Sequence, residues 1–179
     1  MIFVFDFIGI SIHTLKGFLN LYGNKGAVGI RFDYQKTSLC FLNCHLSAGE
    51  DEKSLQKRNE QYSRIHQHMI FNSSKTIFDH HGIFLFGDLN YRQTETNEDQ
   101  LKTRTNILQT YSEAPISFPA TYKFKQNSNS YDSSRRPSWT DRILYRTHQC
   151  HLKPLNYWSI SSIRLSDHRP IAKLFSLFF

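Results

Sequence analysis

The segment Phe86-Gly87-Asp88-Leu89-Asn90-Tyr91-Arg92 ends an apolar run and delivers a carboxylate, an amide and a guanidinium into a loop. A sheet holds such groups rigidly, so the end of a buried strand is a good place for a site. Asp88 has the chemistry to activate water or to help hold a metal. Asn90 lies two positions on. In an extended backbone that puts it on the same side, ready to donate to a phosphate oxygen. The competing reading is a simple turn, because Gly-Asp and Leu-Asn are common turn formers. A second cluster is Ser166-Asp167-His168-Arg169-Pro170, where a carboxylate, an imidazole and a guanidinium fit acid–base work on a phosphate. With nine histidines in the chain, a surface loop carrying a stray imidazole competes. The third runs from Arg135-Arg136-Pro137-Ser138-Trp139-Thr140 to Asp141-Arg142-Ile143-Leu144. Arginine forks suit phosphate, and Asp141 at a strand entrance is able to orient an imidazole by accepting from it. A basic loop running into an edge strand explains the same residues. Asn43-Cys44-His45-Leu46 is a fourth polar group at the end of an apolar strand.

These groups need a scaffold, and the pattern supplies one. The apolar residues from Ile2 to Ile12 suit a strand buried on both faces. Gly23-Asn24-Lys25-Gly26 signals a turn. Ala27 to Phe32 and Ser38 to His45 read as a hairpin joined through Asp33 to Thr37. From Asp51 to about Met69 the period becomes helical, with Leu55, Tyr62, Ile65 and Met69 on one face. The acidic run Glu50-Asp51-Glu52 sits where a helix N-terminus favours negative charge. Ile83 to Phe86 reads as a central strand, Gln93 to Gln109 as a loop or exposed helix, and Thr121 to Phe124 as a short strand. Gln126 to Arg136 is a Ser/Asn-rich surface loop. Arg142 to Tyr145 and Ile171 to Phe175 read as further strands. The class is mixed α/β or α+β.

The 179 residues make one domain with a real core, and 39% of them are hydrophobic. Net charge is +7, which favours anionic partners: nucleic acid, acidic membrane or a polyphosphorylated small molecule. Three cysteines without a C-x-x-C pair argue against a disulfide scaffold and for a reducing compartment. No apolar run approaches the roughly 20 residues that span a bilayer. The apolar start, interrupted at Asp6, is a poor signal peptide.

Taken together, the motifs resemble a known family. Gly23 to Val28, Asn43 to Leu46, Arg58-Asn59-Glu60-Gln61, Gly87 to Arg92, Thr121-Tyr122-Lys123, Pro137 to Leu144 and Ser166 to Pro170 follow the order found in inositol-polyphosphate 5-phosphatases. Gly-Asp-x-Asn and Ser-Asp-His belong to the wider exonuclease–endonuclease–phosphatase superfamily. Thr-Tyr-Lys and Pro-Ser-Trp-Thr-Asp-Arg-Ile-Leu are specific to the phosphoinositide branch. The resemblance implies a four-layer α/β sandwich of the DNase I-like type. It implies Mg²⁺-dependent hydrolysis of the 5-phosphate from phosphatidylinositol or inositol polyphosphates. In such enzymes water attacks phosphorus in line, and positioning and charge neutralisation dominate. By position, Asp88 activates the water and Asn90 steadies the transition-state oxygens. His168 contacts the scissile phosphate, Asp141 orients it, His45 lies near the phosphate, and Asp167 lies by the metal. Arg92, Tyr122, Lys123 and an arginine of the Arg135-Arg136 pair resemble substrate-gripping residues, the last three at the 4-phosphate. The implied partners are a phosphoinositide lipid or a soluble inositol polyphosphate, with peripheral contact to acidic membrane, a cytoplasmic location and no nucleic acid.

Three departures qualify the resemblance. The family places a metal-binding glutamate on a strand upstream of the segment matching Met1 to Ile12, whereas the first glutamate here is Glu50. Residues 1–179 are therefore expected to form a partial catalytic domain, without its N-terminal strands and weak or inactive alone. The stretch between Arg92 and Pro115 is short, where the family carries an additional helix. The loop from Asp132 to Pro137 is compressed, and the family's 4-phosphate lysine has no clear counterpart. Two readings compete: an incomplete piece of an active enzyme, or a paralogue that binds phosphoinositides without turning them over. A nuclease of the same superfamily is a third, and Pro-Ser-Trp-Thr-Asp-Arg speaks against it.

Overall fold

A computed structural model describes residues 6–15, 25–34, 36–94, 98–101, 106–148 and 150–178. Five strands form the main sheet in the order β1-β2-β3-β4-β5: β1 Asp6–Leu15, β2 Lys25–Tyr34, β3 Thr37–His45, β4 Gly82–Asp88 and β5 Asp141–Thr147. Neighbours are antiparallel except β3 and β4, which run parallel. A parallel pair needs a crossover, and helix α1, Glu52–His68, lies within that connection. β6 (His151–Ser159) and β7 (Ile171–Phe178) pair antiparallel as a separate two-stranded sheet.

Alternation along the strands divides the main sheet into two faces. On one face Ala27, Cys40, Leu42, Cys44, Ile83, Leu85 and Leu144 are buried with Tyr62 and Ile65 of α1. On the other, Phe32, Phe41 and Phe84 stack in a row, and Phe84 and Tyr145 meet Phe175 of β7 edge-on. The described residues thus supply helix, sheet and sheet in succession, three of the layers expected of a DNase I-like sandwich.

Local chemistry explains the helix. Asp51 caps it by accepting from the Ser54 amide at 2.7 Å, Glu52 stands in the first turn, and Met69 closes the end with its N–H on the Ile65 carbonyl. Tyr62, Ile65 and Met69 are buried and Leu55 is partly so. The apolar stripe did not foretell that Arg58 is fully buried beside them.

Some expected elements differ. Residues 1–5, 23 and 24 lie outside the described set, and Lys25 and Gly26 open β2 rather than completing a turn. The hairpin turn is tighter than expected, because Asp33 and Tyr34 remain in β2 and Thr37 begins β3. The Thr121 to Phe124 stretch makes only isolated bridges, Tyr122 with Ser138 and Phe124 with Tyr131. Strand β6 was missed because Pro154 interrupts it; a bulge beside that proline absorbs the lost donor.

Candidate active site

Parallel β3 and β4 deliver their C-terminal residues, His45 and Asp88, to the same edge of the sheet. β5 runs the other way, so its first residue, Asp141, lies directly opposite Asp88 in the register. β2 is antiparallel to β3 and brings Lys25 to the same edge. The His45 Nε2 stands 3.3 Å from Asp88 Oδ2, and Lys25 Nζ contacts the same imidazole nitrogen. His168, from the loop before β7, places Nδ1 2.6 Å from Asp141 Oδ2. Its ring tilts against Tyr122, with centroids 4.4 Å apart.

Backbone strain aims Asp88. Gly87 has φ +118°, and a Cβ there would sit 2.3 Å from the Cys44 carbonyl oxygen. Only glycine lets β3 and β4 approach so closely at their ends. The loop that follows is tied down on both sides. Leu46 N–H donates to the Asp88 carbonyl at 3.0 Å, and the Leu89 and Asn90 amides donate to the Thr140 carbonyl at 2.9 and 3.2 Å. Thr140 also donates its hydroxyl to Asp141 Oδ2 at 3.1 Å.

Asn90 departs from its expected geometry. It is not extended but left-handed, with φ 56°, and it is buried. Its amide nitrogen donates to the Leu46 carbonyl at 3.0 Å, and its oxygen accepts from Arg92 Nη2 at 2.5 Å. The side-chain oxygen thus holds Arg92 in place. Arg92 is 5% exposed, lies over the Tyr122 ring at 4.5 Å, and leaves Nε and Nη1 with no protein acceptor. Beside it opens a groove of about 440 Å³ lined by Ala48, Gly49, Glu50, Asp51, Arg92, Tyr122 and Arg135.

The Arg58-Asn59-Glu60-Gln61 motif proves to be a brace for this groove. Arg58 donates to the carbonyls of Ser47 and Gly49 at 3.1 and 2.9 Å and to Gln100 Oε1 at 2.7 Å. Gln61 exchanges bonds with the Ser47 amide and hydroxyl, and Asn59 accepts from Tyr91. The loop after His45 is thus bolted to α1 and to the loop after Asp88.

Other anticipated residues stand apart. Lys123 pairs with Asp132 at 3.0 Å. Arg136 donates to the Thr94 carbonyl at 2.8 Å, away from the groove, while Arg135 is the arginine of the pair that lines it. Arg142 and Arg169, which lie inside the motifs, are structural: Arg142 pairs with Glu113 and Asp99, and Arg169 donates to the Ser166 and Ser128 carbonyls. The Asp167 carboxylate accepts from the Ser166 hydroxyl at 3.3 Å. Lys25 and Thr140 were not foreseen as site residues. The only sequence signal for them was their place inside the motifs Gly23 to Val28 and Pro137 to Leu144.

Electrostatics separates the ionisable groups. Burial and the facing Asp141 push the Asp88 carboxyl above the ordinary range, although His168, His45 and Lys25 pull the other way. Burial and the Lys25 charge hold His45 below an ordinary imidazole. Burial opposes charge on His168 too, but the Asp141 hydrogen bond and the Asp141, Asp88 and Asp167 charges outweigh it, and its pKa is raised. One imidazole is therefore biased neutral and the other cationic.

The donor types suit a hard divalent cation, since Asp88, Asp141 and Asp167 offer carboxylate oxygens. Among the described residues, however, no group of three or more His, Cys, Asp or Glu side chains is placed to hold a metal ion. The donors fit in kind and fall short in number.

Residues 5–106 and 96–174 match the family described as Endonuclease/Exonuclease/phosphatase family 2. The chain belongs to this family. The two matched stretches meet within the segment between Arg92 and Pro115 that the sequence marks as short. The chain is 38% identical over 181 residues to Polyphosphatidylinositol phosphatase INP53 of Saccharomyces cerevisiae, covering 87% of this chain and 16% of the relative. It is 41% identical over 172 residues to Inositol-1,4,5-trisphosphate 5-phosphatase 1 of Schizosaccharomyces pombe, covering 83% of this chain and 15% of the relative. The crystal structure of the inositol polyphosphate 5-phosphatase domain of spSynaptojanin, in complex with inositol (1,4)-bisphosphate and calcium ion, superposes with TM-score 0.79 at 37% identity. That match covers 93% of this chain and 54% of the solved one. The chain therefore spans about half of that solved chain and under a fifth of those curated relatives. A Cimex nitrophorin shares the fold at TM-score 0.73 and 24% identity, and tells of the fold alone.

Proposed function

We propose that this family member is a Mg²⁺-dependent phosphoric monoester hydrolase that removes the 5-phosphate from phosphatidylinositol or inositol polyphosphates. The observation that carries the reading is Arg92: a buried guanidinium with unspent donors, on a groove whose Tyr122 packs against His168 of the Asp141–His168 pair. Unspent buried N–H groups call for an anion. The named activities of the relatives and the inositol bisphosphate of the solved neighbour support the choice of anion.

Asp88, with its raised pKa, is suited to take a proton from the attacking water. His168, whose pKa is raised by the hydrogen bond and charge of Asp141 against the effect of burial, would donate from Nε2 to a phosphate oxygen. Arg92 and Arg135 would grip phosphates in the groove, and Tyr122 would pack against the ring. Lys25, against His45 and near Asp88, adds positive charge where the oxyanion develops. Mg²⁺, when bound, would supply further neutralisation of phosphate charge, and Asp167 is the carboxylate we assign to it. Asp141 stays with His168. The cytoplasmic face of membranes is the proposed place of action, supported by three buried thiols and a basic chain.

The test is phosphate release from a 4,5-bisphosphorylated phosphoinositide with Mg²⁺, comparing the chain with Asp88→Ala. The variant should lose about a thousand-fold in rate. Equal, measurable rates in parent and variant would overturn the assignment. The shortfall in metal donors among the described residues favours a second reading, a phosphoinositide-binding paralogue. That reading predicts salt-sensitive binding with no Mg²⁺-dependent turnover.

A further inference from the structure

The groove beside Arg92 is lined by opposite charges. The loop that enters α1 supplies Glu50 and Asp51, and the rest of the lining supplies Arg92, Tyr122 and Arg135. Two carboxylates thus face two guanidiniums, and the lining is neutral on a chain whose net charge is +7. Lys123, another cation expected here, is paired with Asp132 at 3.0 Å. The two carboxylates differ in what they are free to do. Asp51 accepts from the Ser54 amide and hydroxyl as the cap of α1. Glu50 is exposed, and among the described residues its carboxylate has no hydrogen-bond partner. Across the groove, buried Arg92 keeps Nε and Nη1 unpartnered.

Buried Gln100 fixes the span between the acidic loop and Arg92. Its Oε1 accepts from the Arg92 amide at 2.9 Å and from Arg58 Nη2 at 2.7 Å, and its Nε2 donates to the Glu50 carbonyl at 3.3 Å. Arg58 holds the Gly49 carbonyl as well, at 2.9 Å. The loop cannot swing aside for a bulkier anion without breaking this network. A carboxylate so held accepts from hydroxyl groups and repels phosphate, and a built-in repulsion is an effective way to discriminate between related ligands. Arg135 is the arginine we place at the 4-phosphate, and the 3-position is its neighbour on the inositol ring. We propose that Glu50 sets the substrate class of the groove. It accepts from a free ring hydroxyl and repels a phosphate in that place, so a ring with the 4- and 5-phosphates is taken in preference to one that also carries a 3-phosphate. Which phosphates are gripped rests on the hydrolase reading above; the preference in binding requires no turnover.

Calorimetric titration of the full 179-residue chain without divalent cation tests the preference. The ligands are inositol 1,4,5-trisphosphate and inositol 1,3,4,5-tetrakisphosphate. In Glu50→Gln the ratio of the two affinities should move about fivefold toward the tetrakisphosphate. Glu50→Lys should move it further in the same direction. Glu60→Gln removes the same charge from an exposed position of α1 outside the groove, and should leave the ratio unchanged. An unchanged ratio in Glu50→Gln, or an equal shift in Glu60→Gln, overturns the proposal, and so does a parent chain that binds neither ligand. Glu50 is exposed and unpartnered, so its variants should melt with the parent chain. Phosphate release after Mg²⁺ is added is a separate readout. If no form of the protein releases phosphate, the hydrolase reading fails while the affinity ratio still decides the role of Glu50.

Discussion

Asp141→Asn isolates one electrostatic device in the site, the Asp141–His168 pair. In the parent chain, His168 Nδ1 lies 2.6 Å from Asp141 Oδ2, with side-chain exposures of 28% and 22%. The carboxamide keeps the shape and removes the charge. Burial, the foremost influence on His168, then acts with less opposition, and the imidazole pKa should fall from above 6.5 to below it. A charge-assisted hydrogen bond at this partial exposure is worth about 1.5 kcal/mol, or roughly tenfold in folding equilibrium. The pH dependence has a definite sign. A raised folded pKa contributes stability that is complete below 6.5 and lost as pH rises through the folded value. The variant should therefore be least stable relative to the parent under mildly acidic conditions, with the gap closing toward alkaline pH. Relief of Asp88 from its facing charge adds to the same trend. NMR titration of His168 and urea unfolding across pH read both effects. Turnover near neutral pH should fall about a hundred-fold or more, because the general-acid imidazole is no longer charged or oriented. A His168 that titrates above 6.5 in Asp141→Asn would refute the reasoning.

Two further perturbations probe the scaffold. Arg58→Met should cost about 3 kcal/mol in urea unfolding, because the Ser47 and Gly49 carbonyls and Gln100 lose a buried donor; a loss near zero would show that the brace is dispensable. Gly87→Ala should cost about 2–3 kcal/mol and reduce turnover, since the new Cβ meets the Cys44 carbonyl at 2.3 Å in a left-handed backbone. A Gly87→Ala variant as stable as the parent would remove the strain argument for how Asp88 is aimed.

The sequence by itself determined the local pieces. The apolar run before Asp88 marked a strand end, the alternation from Ala27 to His45 marked a hairpin, and Asp51 followed by a helical period marked α1. These follow from periodicity and capping, which act over a few residues. The motifs also carried the family, because their residue types and order are fixed by chemistry rather than by contacts. Sequence did not reach the roles of the arginines. Arg58, Arg92, Arg142 and Arg169 look alike in one dimension. Only the tertiary structure decided that Arg142 and Arg169 spend donors on carboxylates and carbonyls, that Arg58 braces the Ser47 and Gly49 carbonyls, and that Arg92 lines the groove with Nε and Nη1 unpartnered. The same holds for Asn90, whose left-handed backbone lets its side-chain oxygen clamp Arg92. Register set the rest. The parallel β3–β4 pair and antiparallel β5 put His45, Asp88 and Asp141 at one sheet edge, a convergence of residues far apart in the chain that only strand pairing creates.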